Sequence, residues 1–443
     1  MQAYSKGFLY FICAVSAMGG LLFGYDWVVI GGAKPFYELF FGISDSPVLQ
    51  GVAMSTALVG CLVGAMVAGT AADRFGRKPL LTTAAVLFTV SAVATGLFND
   101  FTLFNIARFI GGVGIGVASA LSPMYIAEVS PAEIRGRMVS LNQMTIVLGI
   151  LAAQVVNMLL ARDTAVASEQ AWNLEWGWRW MFWAETLPAA LFLLMSFFIP
   201  ESPVFLNRGE WGEVRGERLP EPQKNSLTSH LSLLTSKKYS KVLLLGLVIA
   251  VFQQWCGTNV IFNYAQEIFT GAGYDVDGMF IDIVITGIAN VAFTFVALYT
   301  IEKWGRRTLM LIGAGGLGLI YLTLGTCYFA EVKGVLMVVL VVAAISVYAM
   351  TLGPVTWTLL AEIFPHRIRG VAMATCTFAL WVGCCTLTFS VPSMNAALGS
   401  SGTFWIYSGI CMCAFIFLWN RCPETKGKSL EELETELISN SKI

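Results

Sequence analysis

The chain has 443 residues, of which 56% are hydrophobic and only 12% are charged. A typical soluble domain carries about 25% charged residues, so this composition excludes an ordinary water-soluble globular protein. The formal net charge is -1, which gives no electrostatic basis for binding nucleic acid.

The hydrophobic residues form twelve apolar runs along the whole chain. A helix that crosses a bilayer needs about 20 apolar residues, and each run is about that long. The pattern therefore predicts an all-α membrane protein with twelve transmembrane helices. In chain order, the predicted spans are 8–31, 49–72, 79–98, 101–125, 139–161, 178–199, 242–269, 279–301, 308–329, 334–361, 370–391 and 402–420.

The first span and the one extended polar stretch set the predicted domain boundaries. The run 8–31 is too long for the apolar core of a signal peptide, and no A-x-A-like cleavage site follows it. Residues 200–241 are rich in charge and too few for a folded domain, so they are predicted to be a cytoplasmic linker with room for short helices. The predicted domains are an N-terminal six-helix bundle (1–199), this linker, a C-terminal six-helix bundle (242–421) and a cytoplasmic tail (422–443).

Lysine and arginine are distributed unevenly between the two sides of the predicted membrane. Most of the 27 fall in the termini and in the loops that follow even-numbered spans. The opposite side holds only Lys34, Arg162, Arg179 and Lys333, and Arg108 lies within a span. Because positively charged loops remain in the cytoplasm, both termini are predicted to be cytoplasmic. The expected location is the plasma membrane, which in a bacterium is the inner membrane.

Three charged motifs occur twice, in the same order and at nearly the same spacing. Two related six-helix halves are a common design of secondary transporters. The motif pairs are Asp73-Arg74-Phe75-Gly76-Arg77-Lys78 with Glu302-Lys303-Trp304-Gly305-Arg306-Arg307, Ala127-Glu128 and Ile134-Arg135-Gly136 with Ala361-Glu362 and Ile368-Arg369-Gly370, and Pro200-Glu201-Ser202 with Pro423-Glu424-Thr425.

Taken together, the motifs resemble the sugar porter family of the major facilitator superfamily over nearly the whole chain. The family's proton-coupled bacterial xylose and arabinose symporters are the most similar. The resemblance implies two pseudo-symmetric bundles that transport a sugar by alternating access. The motifs that carry it are the loop from Gly69 to Lys78, Arg108-x-x-Gly111-Gly112, Pro123-x-Tyr125-x-Ala127-Glu128, Arg135-Gly136, Pro200-Glu201-Ser202-Pro203, Gln253-Gln254, Gly305-Arg306-Arg307 and Pro423-Glu424-Thr425-Lys426-Gly427.

The chain departs from the family pattern at three positions. Val204 stands where the family usually has an arginine, and Asn263 stands where it usually has a tyrosine. Leu380 replaces the glutamine that precedes the tryptophan of span eleven in the xylose symporters. The resemblance therefore does not indicate which sugar is carried.

Asp26 and Arg108 are charged residues inside predicted spans one and four. A charge near the middle of a span costs about 2.5–3.5 kcal/mol, so the two are expected to pair. The pair is either a static packing element or a proton switch, because an aspartate can be protonated and an arginine keeps its charge. The resemblance favours the switch, since the family's passive glucose carriers usually lack the aspartate. Glu185 in span six is either a second member of the relay or a structural hydrogen-bonding group.

Amides inside apolar spans predict a sugar site, because an amide can both donate to and accept from a hydroxyl group. A lone amide is better explained as helix–helix hydrogen bonding, but five at the family's positions favour a binding site. Adjacent glutamines point about 100° apart on a helix, so one of Gln253 and Gln254 is expected to reach the ligand while the other braces a neighbour. The predicted substrate-binding residues are Gln143, Gln253, Gln254, Asn259, Asn290, Trp357 and Trp381, with Phe23 and Tyr264 as weaker candidates.

The repeated charged motifs predict cytoplasmic gates. Ion pairs near a surface are worth about 0–1 kcal/mol each, which suits contacts that must open in every cycle. The alternative is that these residues only anchor the topology. The predicted gating residues, expected to pair between the two halves when the cytoplasmic side is closed, are Asp73, Arg77, Glu128, Arg135, Glu302, Arg306, Glu362 and Arg369.

Glycines predict both close helix packing and helix breaks. The pairs Gly60-x-x-x-Gly64 and Gly112-x-x-x-Gly116 place small residues on one helix face, which permits close approach. Gly257 in span seven and Gly353-Pro354 in span ten mark sites where a helix can break near a ligand.

No motif predicts an enzyme or a cofactor. The chain shows no Ser-His-Asp set, zinc cluster or phosphate-binding loop, and nine of its ten cysteines lie in apolar runs. Two other functions remain open: a passive sugar uniporter, against which Asp26 argues, and a sugar sensor without transport, against which the short tail argues. The favoured prediction is a monomeric importer of a pentose or hexose with a proton, whose partners are the sugar, the proton and the bilayer.

Overall fold

The computed structural model describes residues 5–131, 134–162, 166–206, 239–271, 273, 276–364 and 369–426. Within these ranges the chain is helical apart from turns and short connections. The first five spans are single helices, each longer than the 20 or so residues that a bilayer requires. They are α1 (Lys6–Phe41), α2 (Pro47–Phe75), α3 (Arg77–Leu97), α4 (Phe101–Val129) and α5 (Arg135–Leu160).

Span six is a chain of short helices. It begins before the predicted residue 178, because the residues at its start are polar and an apolar run does not include them. Pro188 explains the interruption between α7 and α8, since it has no N–H group to donate to the carbonyl of Ala184. The segments are α6 (Ala167–Trp172), a π-helical turn (Asn173–Gly177), α7 (Trp178–Trp183) and α8 (Thr186–Ser196), and a single turn, α9 (Pro203–Leu206), follows.

The remaining spans begin at Ser240, and two of them are broken. They are α10 (Ser240–Trp255), α11 (Thr258–Asn263), α12 (Ala265–Gly271), α13 (Val276–Trp304), α14 (Arg306–Phe329), α15 (Val335–Met350), α16 (Leu352–Ile363) and α17 (Arg369–Arg421). The last of these contains spans eleven and twelve, which are separated by a non-helical residue, Gly399, with φ of 68°.

Both predicted helix breaks are confirmed. Gly257, with φ of +87°, separates α10 from α11, and this left-handed conformation favours glycine. Thr351 separates α15 from α16 with φ -123° and ψ -90°. Pro354 contributes to the second break, because it cannot donate to the carbonyl of Met350.

Ten helices among the described residues are long and apolar enough to cross a membrane. The predicted total of twelve spans is reached because α17 holds two spans and span six is divided into short helices. Contacts separate the chain into two compact units. Unit 1 contains α1 to α9, together with Asn263–Gln266 and the part of α13 that ends at Gly287, and unit 2 contains the remaining described elements.

The two glycine pairs predicted to pack closely do so against each other. A Cβ atom on Gly60 or Gly64 would overlap a backbone carbonyl oxygen of α4, and one on Gly112 or Gly116 would overlap a carbonyl oxygen of α2. The two helices are therefore in backbone contact along this face. A glycine also permits close backbone packing of α1 against α5, where a Cβ on Gly24 would overlap the carbonyl oxygen of Ile146.

A Gly112→Ala variant is expected to lose stability. The added methyl group would collide with the carbonyl of Ala57, and overpacking of this kind typically costs about 1–3 kcal/mol. Gly69→Ala is the matched control, because nothing lies within 4 Å of its added Cβ. Thermal unfolding of the purified proteins in detergent should show a lower midpoint for Gly112→Ala only, and equal midpoints would contradict the packing argument.

Candidate functional site

Asp26 and Arg108 form a buried ion pair inside unit 1. Asp26 is 3% exposed and Arg108 is 2% exposed. The Nη1 atom of Arg108 donates to the Asp26 carboxylate, and Nη2 donates to the Asp26 backbone carbonyl at 3.3 Å. The guanidinium also lies 5.3 Å from the ring centre of Phe182. Helices α1 and α4 are therefore joined by a charge contact in the middle of two spans, as the sequence predicts.

Glu185 lies beside this pair, in the break between α7 and α8. It is 2% exposed and close enough to interact electrostatically with both Asp26 and Arg108. The hydroxyl of Tyr25 donates to the carbonyl of Met181 at 3.0 Å, which holds α1 against α7. Unit 1 thus brings two carboxyl groups and one arginine together in its interior.

Unit 2 contains a chain of hydrogen-bonded amides at the broken span seven. Asn259 donates to Oε1 of Gln254, and Gln254 donates to Oε1 of Gln253 at 2.6 Å. Gln253 then donates to the hydroxyl of Tyr348 at 2.8 Å. A primary amide has two N–H hydrogens, so each glutamine keeps one hydrogen that this chain does not use.

Gln253 and Gln254 are in direct contact, although they occupy adjacent helix positions. Their side chains bond to each other, because long side chains can bridge the 100° between adjacent helix positions. Tyr348 was missed, since a single tyrosine in an apolar run gives no signal by its spacing. The hydrogen-bonded chain of four fixes the positions of both glutamine side chains.

The other predicted substrate-binding residues are spread over several helices of the two units. Gln143 is half-buried on α5 of unit 1, and Asn290 is buried on α13. Trp381 is 5% exposed, whereas Trp357 is 38% exposed. Phe23 packs edge-on against Trp27 at 5.5 Å in unit 1. The ammonium group of Lys34 lies 5.1 Å from the ring centre of Tyr264, which also belongs to unit 1.

Four of the predicted gating residues form ion pairs within their own unit. In unit 1, Arg77 donates to both oxygens of Glu128 at 2.9 and 3.0 Å, and Ser202 donates to the same carboxylate. Glu201 accepts from the backbone N–H groups of Arg77 at 2.8 Å and Lys78 at 3.2 Å. It therefore caps the start of α3, where helix N–H groups have no partner within the helix.

Unit 2 repeats this cluster. Arg306 donates to Glu362 at 3.0 Å, and Thr425 donates to the same carboxylate at 2.6 Å. Glu424 accepts from the backbone N–H groups of Arg306 at 2.9 Å and Arg307 at 3.2 Å. The repeat in the sequence is thus a repeat of contacts. The side chains of the other predicted gating residues, Asp73, Arg135, Glu302 and Arg369, lie outside the described residues.

Comparison with known proteins identifies the family. The family model described as "Sugar (and other) transporter" matches residues 12–437. This chain is a member of that family. The transporter is 36% identical to the arabinose-proton symporter of Bacillus subtilis, a match that covers 98% of this chain and 96% of the relative. It is also 36% identical to the D-xylose-proton symporter of Escherichia coli K12, covering 97% and 96% of the two chains.

The fold agrees with these relatives. The transporter superimposes on the inward open conformation of the xylose transporter XylE from E. coli with a TM-score of 0.82. The match covers 96% of this chain and 99% of that chain, at 35% identity. The predicted family and the predicted helical membrane fold are confirmed, and the protein is a multi-pass membrane transporter and not an enzyme.

Proposed function

We propose that the transporter imports a pentose or a hexose together with protons by alternating access across the plasma membrane. The observation that carries the proposal is the buried contact of Asp26 with Arg108, flanked by Glu185. Such charges inside a membrane are costly, so they are kept where they serve transport. The names of the two symporters described above support both the sugar and the proton.

Asp26 is the proposed coupling acid. While it is ionised, it holds α1 to α4 through Arg108. When it takes up a proton, its O–H bond forms and its charge disappears, whereas Arg108 remains charged. The contact weakens, and α1 is then free to move relative to α4. Glu185 is the proposed partner for Arg108 in that state, because it already lies within electrostatic reach of both groups.

The amide chain of unit 2 is the proposed core of the sugar site. Gln253, Gln254 and Asn259 are between 5% and 8% exposed, so a sugar that reaches them exchanges water for protein hydrogen bonds. Hydrogen bonds among these amides and from Gln253 to Tyr348 hold the side chains in place, which lowers the entropy lost when a ligand binds. Gln143, Asn290, Trp357 and Trp381 are the further proposed contacts, with Phe23 and Tyr264 as weaker ones.

The proposed gate uses the two charged clusters at the cytoplasmic ends of the units. Each joins an arginine, a glutamate and a hydroxyl group, so each bundle end is rigid by itself. We propose that alternating access moves the bundle ends as bodies. One chain contains every proposed contact, so a monomer in the bilayer suffices.

The proposed function is tested by counterflow in liposomes. Purified transporter is reconstituted and preloaded with one sugar, and labelled pentoses, hexoses and polyols are then tested outside. Counterflow of at least one pentose or hexose is the expected result, and net uptake of that sugar into vesicles without internal sugar should alkalinise the weakly buffered medium. Net uptake without any pH change would show a uniporter, and no uptake of any sugar would reject sugar transport.

The proposed orientation places both termini in the cytoplasm. The linker and the tail were predicted as 200–241 and 422–443, and most of both lies outside the described residues. Reporter fusions after Asn225 and after Ile443 are expected to be active only in their cytoplasmic form, because the loops on that side hold most of the lysine and arginine. A fusion at Lys333 is the control for the opposite side, and a periplasmic signal at Asn225 would contradict the topology.

A further inference from the structure

We propose that Asp282 is a second proton-binding site of the transport cycle, so that two protons accompany each sugar. The inference rests on the proposed function and adds a group that the family resemblance did not single out. In this proposal the proton on Asp282 carries a second charge across the membrane in each cycle. Asp26 still controls the conformational change.

Asp282 lies on the buried side of α13. It is 8% exposed, whereas Ile281, Ile285 and Ile288 are 53%, 41% and 54% exposed. Thr286, four residues further along, is buried at 2%. The apolar residues thus face the bilayer, and Asp282 belongs to the side of the helix that faces protein.

One oxygen of the Asp282 carboxylate lacks the partner that a buried charge needs. Its Oδ2 atom is fully buried and accepts no hydrogen bond, and no ion pair reaches it from the described residues. It is the seventh residue of α13, beyond the first turn in which the helix dipole stabilises an acid. Burial of a carboxylate oxygen without a partner disfavours the ionised form, which suits Asp282 to bind a proton.

The surrounding charges do not replace that proton. Helix α5 packs against α13 at Gly287 through Leu151 and Gln154, and residues 138–160 of α5 contain no ionisable side chain. Lys34 and Glu38 of α1 pair with each other at 3.2 Å. On α13 itself, the other ionisable side chains that the structure describes are Tyr299 and Lys303, roughly 25 and 30 Å away at 1.5 Å per residue.

The position of Asp282 gives the proton a route to outside water. It lies six residues from the start of α13 at Val276, roughly 9 Å along the axis from the end that the proposed orientation places outside. When that end is hydrated, the ionised carboxylate accepts a proton from hydronium and forms an O–H bond. When the inner side opens, the O–H bond breaks and the proton passes to inner water. Asn290 follows about two turns further along and supplies a polar group on that side.

The test is the potential that stops sugar flux in proteoliposomes of known sugar gradient. With no pH gradient, a tenfold sugar gradient is balanced by about 59 mV for one charge per sugar and about 30 mV for two. We expect about 30 mV for the wild type and about 59 mV for Asp282→Asn. Thr286→Val is the matched control, because it changes a buried polar residue on the same side that does not titrate, and it should remain near 30 mV.

Each outcome decides the proposal. A wild-type value near 59 mV overturns the Asp282 proposal and leaves proton-coupled transport intact. A wild type with no proton-linked flux rejects both proposals. An Asp282→Asn protein that remains near 30 mV assigns the second proton elsewhere. Sugar binding by the purified variant shows that it is folded, and if it is not, the wild-type value still tests the stoichiometry.

Discussion

An Asp26→Asn variant is expected to lose sugar accumulation entirely while still exchanging sugar. One proton that crosses about 100 mV supplies around 2.3 kcal/mol, which supports roughly 40-fold accumulation at 1.4 kcal/mol per decade. Only a group whose charge changes during the cycle can use this energy. Asparagine keeps the shape and can still accept a hydrogen bond from Arg108, but it cannot titrate. The empty carrier can then return without a proton, so the gradient leaks away even if Asp282 still binds one.

The measurement compares uphill uptake with counterflow in the same vesicles. Asp45→Asn is the matched control, because Asp45 is an exposed acid between α1 and α2, and it should accumulate sugar as the wild type does. Accumulation that persists in Asp26→Asn would reject Asp26 as the coupling acid and assign the role to Glu185. Loss of both accumulation and counterflow would show instead that the pair is structural.

A Gln253→Ala variant is expected to bind the transported sugar roughly five- to 150-fold more weakly, since an unpaired buried hydrogen-bonding group costs about 1–3 kcal/mol. The change removes a ligand contact and also releases Gln254 from its partner at 2.6 Å. Tyr348→Phe removes only the end of the chain, so it should weaken binding less.

Binding is measured by calorimetry on purified protein. Asn105→Ala is the control. Asn105 is a buried amide on α4, and its side chain donates to the backbone carbonyl of Phe101 in the same helix. Its affinity for the sugar should equal that of the wild type. If Gln253→Ala, Asn259→Ala and Trp357→Ala all bind with unchanged affinity, the sugar site lies elsewhere.

The spans and the repeat could be predicted because each rests on a property of the local sequence. Apolar length indicates a span, and repeated motifs indicate related halves. The pairing of Asp26 with Arg108 was also predictable, since buried charges inside a membrane require partners. Gly257 and Pro354 indicated the helix breaks through their backbone chemistry.

Other features depend on side-chain conformation, which spacing does not determine. The contact between Gln253 and Gln254 requires two particular rotamers, and Tyr348 joins them from a distant span. Arg77 and Arg306 each pair with a glutamate of their own unit, and these contacts join residues that are 51 and 56 positions apart in the sequence. Asp282 was passed over because it stands alone in an apolar run and belongs to no motif.

During synthesis of the chain, the glutamates that cap α3 and α14 are added long after the helix starts that they cap. Glu201 is 124 residues after Arg77, and Glu424 is 118 residues after Arg306. At about 5–20 residues per second, each helix start waits roughly 6–25 s for its glutamate. Both starts follow positively charged loops at the proposed cytoplasmic surface, where water can satisfy the waiting N–H groups, whereas the hydrocarbon interior offers none. Each half can therefore insert its six helices first and be fastened afterwards, from the aqueous side.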